Sequence, residues 1–189
     1  VYGGTAAGIT AAVQAARMGK TVALVAPEEH LGGISVEGLG SSDVDNHDFR
    51  NSLAVGGLAR EFYIGVGRKY GKDHPVWQFE PHVAEAVFEE LLEGAKVPVF
   101  RGRRLKEPLR SAVVWGAGQR LAGIVMESGE VFSGSQFIDA TIEGDLLAAA
   151  GVETVIGRES TAQYGATKNG LRGENEYRQF EVRVDPYRV

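Results

Sequence analysis

Gly3, Thr5 and Gly8 stand near the head of the chain at the spacing of a phosphate-binding turn, G-x-G-x-x-G, with Thr5 in the place of the middle glycine. In such a turn the first glycine makes the tight bend and the last lets a helix pack close against a strand. Gly4, Ala6 and Ala7 fill the remaining positions, and their backbone N–H groups would meet the negative charge of a dinucleotide pyrophosphate at a helix N-terminus. A purely structural glycine turn is the alternative. About 20 residues beyond such a turn an acidic side chain ordinarily holds a ribose hydroxyl. Here Ala26 stands at the strand end and cannot do this, so Glu28 or Glu29 is the candidate, against the plainer reading of a solvated loop glutamate.

The surrounding elements favour the nucleotide reading. Val1-Tyr2 is the stub of a buried strand, Ile9, Ala12, Val13 and Ala16 make one apolar helical stripe, and Gly19 closes the helix. Thr21-Val22-Ala23-Leu24-Val25 then reads as a second strand. Next come His30-Leu31-Gly32-Gly33-Ile34-Ser35 and Gly38-Leu39-Gly40-Ser41-Ser42-Asp43, whose glycines suit a backbone passing close to another surface. Residues 57–70 have helical spacing, with Leu58, Phe62 and Val66 on one face. Pro81 starts another helix, with Glu80 at its N-terminus, Val83, Val87, Phe88, Leu91 and Leu92 inward, and Gly94 as its stop. From Val97 the period becomes alternating: short strands are expected at 97–99, 105–109, 112–115, 121–127 and 130–132, the last two joined at Ser128-Gly129. A strand over 136–140 follows, then a helix over 146–150 whose N-terminus, from Thr141 to Asp145, is a second phosphate-facing turn. Asp145 is also explained by the helix dipole alone.

The chain resembles the FAD-dependent oxidoreductase family, within the flavoproteins that have a glutathione-reductase-like FAD domain. The resemblance rests on residues 1–8, His30-Leu31-Gly32-Gly33, Gly38-Leu39-Gly40, residues 57–63, residues 79–85, residues 137–145 with 148–152, and Gln163-Tyr164-Gly165, all in family order. It implies an α/β fold: a Rossmann-like parallel sheet with a small antiparallel meander inserted at about 104–133. It implies FAD as cofactor, held by Gly3, Gly4, Thr5, Ala6, Ala7 and Gly8, by the loop of His30, Leu31, Gly32 and Gly33, and by Leu105, Ala140, Thr141, Gly144 and Asp145, with Glu28 as the ribose candidate. Thr5 at the middle position is what the family shows, whereas Ala26 departs from the acidic residue of many members.

Composition narrows the function. The 20 basic and 25 acidic residues leave a net charge of −5, which argues against a nucleic-acid or anionic-membrane partner; only Arg101-Gly102-Arg103-Arg104 is locally basic. The absence of cysteine excludes thiolate metal sites and a redox-active Cys pair. Asp43, Asp45, His47 and Asp48 cluster without the spacing of a known metal site, and no metal is expected. His30, His47 and His82 are histidines that could carry a proton, but nothing in the sequence sets any of them over a reactive group, so no catalytic residue is assigned. Val1-Tyr2 is short for a central strand, so the chain reads as part of a longer polypeptide. Residues 1–157 would form the FAD domain and 158–189 the start of a substrate-side region. The expected activity is hydride transfer from a small-molecule substrate to flavin. A nicotinamide-dependent reductase and a non-catalytic nucleotide module are the alternatives.

Overall fold

In a computed structural model the described residues are 1–39, 42–44, 52–155, 157 and 159–167. The chain falls into two compact units, Val1–Val152 and Glu153–Val189. In the first, the glycine turn opens directly into helix α1, Ala6–Arg17. Ile9, Ala12 and Val13 are fully buried, as the apolar stripe requires, and Gly19 ends the helix at φ +74°. The ending is a six-residue wrap: Lys20 N–H bonds the Ala15 carbonyl and Gly19 N–H that of Ala16. Strand β1, Leu24–Val25, pairs in parallel with β2, Val99–Phe100. Helices α2, Gly57–Lys69, and α3, Pro81–Gly94, lie between them in the chain.

Two strands are fewer than a full Rossmann sheet, but single bridges extend the parallel line. Tyr2 pairs with Val25 on one side and with Asp139 on the other, both in parallel. Tyr2 N–H bonds the Ile138 carbonyl at 2.9 Å, and Ala140 N–H bonds the Tyr2 carbonyl at 2.7 Å. The stretch expected as a strand over 136–140 is thus a neighbour of the glycine-turn segment, but it pairs only at Asp139. Alternating side chains give the sheet two cores. Leu24 and Ala26 face α1, α2 and α3, where Phe62 stacks on Phe88 at 4.3 Å between ring centroids. Tyr2 and Val25 face Leu105, Ile124, Met126 and Leu146.

That second face is covered by an antiparallel meander: β3, Val113–Trp115, β4, Leu121–Val125, and β5, Val131–Ser133, in that order. Beyond shifts of a few residues at strand and helix ends, some details differ from the sequence reading. Residues 105–109 are not a strand: Leu105 makes one bridge to Met126, and Pro108, which cannot donate a ladder bond, leads into a single 3-10 turn at Leu109–Ser111. The strand expected at 97–99 is displaced to Val99–Phe100. Helix α3 ends at Gly94 as expected, but the left-handed residue that closes its end is Lys96, at φ +55°. Helix α4, Asp145–Ala149, completes the unit. In the second unit the described residues contain helix α5, Thr161–Tyr164, ended by Gly165 in the left-handed conformation. Among the described residues no helix is long and apolar enough to cross a membrane.

Candidate cofactor site

The glycine turn is built from contacts that exclude side chains. A Cβ on Gly8 would lie 2.0 Å from the Gly3 carbonyl oxygen, and one on Gly3 would lie 2.6 Å from the Ala140 carbonyl. Gly3 also sits at φ +113°, a region that favours glycine. These two positions are therefore glycine for steric reasons, and the helix meets the strand as closely as a backbone permits.

Thr5 explains why the middle position need not be glycine. Its hydroxyl donates to the Ala140 carbonyl at 2.7 Å and accepts the Gly8 N–H at 3.2 Å. One side chain caps α1 and ties the turn to the neighbouring segment, and it is buried. Gly4 is held from both sides. Its N–H donates to Glu28 Oε2 at 3.0 Å, and its carbonyl accepts the Gly32 N–H at 2.8 Å. Gly3 N–H is spent on the Val25 carbonyl. Ala7, exposed in the first turn of α1, keeps an N–H without an acceptor among the described residues.

Around this turn the structure gathers Glu28, Leu31, Gly32, Gly33 and Ala140. Gly32 and Thr5 form a parallel bridge, and a Cβ on Gly33 would come to 3.5 Å from Thr5, an ordinary contact distance. Glu28, three residues beyond the buried Val25, reaches back to the turn, and its Oε2 packs with Ala26 and Leu31 around Gly4. His30 goes elsewhere: its Nδ1 faces the Glu85 carboxylate at 3.1 Å, on the surface. Leu105 and Asp145 line a separate small cavity of about 180 Å³ with Tyr2, Pro27, Arg104 and Glu127. There the Leu105 N–H donates to the Tyr2 hydroxyl at 3.1 Å.

The second turn is satisfied from within. The Thr141 hydroxyl donates to Asp139 Oδ1 at 2.7 Å and accepts the N–H groups of Gly144 and Asp145 at 2.9 and 3.0 Å. Asp139 also takes the N–H of Thr141 at 2.9 Å and that of Leu147 at 2.8 Å. The donors expected to face a ligand at Gly144 and Asp145 are thus engaged by Thr141, and α4 is only five residues long. Sequence reading passed over Asp139, Glu85 and the Tyr2 hydroxyl. A carboxylate two residues before a threonine at a helix start signals such a turn, but nothing local marks Glu85, which acts across 54 residues. Of the acidic group at 43–48, only Asp43 and the neighbouring Val44 lie among the described residues.

The FAD dependent oxidoreductase family model matches residues 1–187. The chain belongs to that family. Comparison with curated proteins finds no match. Family membership makes FAD the cofactor and oxidoreduction the class of chemistry. The geometry of the turn fits the group. Gly3 and Gly8 let α1 pack directly on the turn and the Ala140 segment, and the exposed start of this 12-residue helix, where the Ala7 N–H has no acceptor among the described residues, supplies a positive dipole end.

Proposed function

We propose that the glycine turn at residues 3–8 takes the FAD pyrophosphate, that Glu28 takes an adenosine ribose hydroxyl, and that a small-molecule substrate gives up a hydride at the flavin. The carrying observation is the Ala7 N–H, exposed in the first turn of α1 and without an acceptor among the described residues. Bound FAD supplies a two-electron acceptor. The chain supplies the rest. Thr5 fixes the start of α1, so that the helix dipole and the Ala7 N–H are presented to phosphate in one orientation. Glu28 is an acceptor beside Gly4 and accordingly suits a hydroxyl, not a phosphate oxygen. Loss of a hydride from carbon and a proton to solvent would leave the substrate two electrons poorer, and an external acceptor would be needed to take those electrons on.

In this reading residues 1–157 make the cofactor domain and 158–189 begin a region facing the substrate. The deciding experiment has two parts. Denatured protein is expected to release FAD, and neither FMN nor a nicotinamide nucleotide, on chromatography. Gly8→Val is expected to fold and to lose the cofactor, because its branched side chain must displace the Gly3 carbonyl. A folded Gly8→Val protein with stoichiometric FAD would overturn the assignment of the turn. Bound FAD that no carbon donor reduces would leave a nucleotide module in place of an enzyme.

A further inference from the structure

The loop that carries Gly32 to the glycine turn is an unfavourable stretch of backbone. Gly32 and Gly33 have successive φ values of +133° and +58°, so residues that lose the most conformational freedom on folding stand side by side. Something must hold them. The sheet does not: the loop's link to it is the single Gly32–Thr5 bridge with its Gly32 N–H to Gly4 carbonyl bond.

Helix α3 supplies the hold. Glu85 Oε1 accepts the Leu31 N–H at 3.1 Å, and the same carboxylate meets His30 Nδ1 at 3.1 and 3.2 Å. Three residues on, on the same helical face, Phe88 lies beneath Gly32, where a Cβ would come within 2.8 Å of the ring. Leu31 is fully buried between them. The two contacts made by the carboxylate are unequal. His30 is 70% exposed at its side chain, so its ion pair is largely screened. The Leu31 N–H is part-buried, and losing its acceptor leaves a donor unpaired.

We infer that Glu85 is a positioning residue for FAD: by accepting the Leu31 N–H it sets the loop whose Gly32 N–H holds the Gly4 carbonyl of the phosphate turn. The inference rests on the proposed role of that turn. Its path is short, from the Glu85 carboxylate to Leu31, from Leu31 to Gly32, and from Gly32 to Gly4. The acceptor oxygen matters, and the charge and the imidazole are secondary.

The test compares wild type with E85M, E85Q and H30A in a flavin-fluorescence titration of the whole protein, together with amide hydrogen exchange of the cofactor-free forms. E85M keeps a helix-forming stem and offers no acceptor; it should weaken FAD about tenfold, the cost of about one part-buried backbone donor left unpaired. E85Q retains an amide oxygen and should stay within about threefold of wild type, as should H30A. Exchange at residues 31 and 32 should quicken in E85M, while Val13 and Leu24 keep wild-type protection. Wild-type affinity in E85M would overturn the inference. So would an E85Q as weak as E85M, or a loss of protection that spreads equally to Val13 and Leu24. If wild type itself binds no FAD, the proposed role of the turn fails, and the exchange pattern still decides whether Glu85 holds the loop.

Discussion

Tyr2 is 2% exposed, and its hydroxyl accepts the Leu105 N–H. Burial pushes its ionisation up to about 12, the Leu105 N–H opposes the shift, and the carboxylates of Asp145, Glu28 and Asp139 add to it. An unfolded tyrosine ionises near 10, so the unfolded chain loses this proton first as pH rises. Stability is therefore complete below about pH 10 and falls as pH climbs towards 12, by an order of 2–3 kcal/mol. Urea unfolding at stepped pH should show that decline, and Tyr2→Phe should flatten it while costing about 1–3 kcal/mol at neutral pH for the unpaired Leu105 N–H. Thr5 makes a second residue-scale prediction. Thr5→Val removes the cap on Gly8 and the tie to Ala140, and should cost about 1–3 kcal/mol in thermal or chemical unfolding. The spacing of Gly3, Thr5 and Gly8 was legible because a backbone that approaches this closely admits few residues. The task of Glu85 was not, since its partner lies 54 residues away and any exposed helical glutamate looks the same in a sequence.

Helices α1, α2 and α3 follow their apolar spacing nearly residue by residue, because each buries one stripe against the same core. The strands were legible as a change of period, but their limits were not. Residues 105–109 and 136–140 were read as strands, yet each pairs through a single bridge, and Pro108 interrupts the first run. Gly94 is the last residue of α3, as it looks, but the residue that turns left-handed to close the end is Lys96, through Val97 N–H to the Leu92 carbonyl. Lys96→Gly should relieve that conformation and stabilise the protein by up to about 1 kcal/mol in denaturant titration. Gly67 looks like a weak point inside α2, but a Cβ there would lie 2.0 Å from the His74 carbonyl oxygen. Gly67→Ala should therefore destabilise, by about 1–3 kcal/mol, where helix propensity alone predicts a gain.

In the first unit, the sheet separates a helical layer from the meander, and the cofactor turn lies where α1 leaves the sheet. Saturation with FAD should stabilise the fold by mass action, by about 2.7 kcal/mol at a ligand concentration a hundredfold above Kd. Calorimetry with and without FAD should show that increment in wild type and none in Gly8→Val. Phe88→Ala should cost about 3–5 kcal/mol from the core and also weaken FAD, since Gly32 rests on that ring. The two-sided architecture has an optical consequence. The chain holds two tryptophans, one on each side of the sheet. Trp77 lies against Tyr63 of α2 at 4.4 Å between centroids, and Trp115 on β3 is 49% exposed. Emission from Trp115 should lie to the red and be quenched by iodide, whereas that from Trp77 should be bluer and shielded. Replacing either one by phenylalanine leaves a single lamp in one layer, so a stopped-flow trace of each variant would time the melting of helices and meander separately.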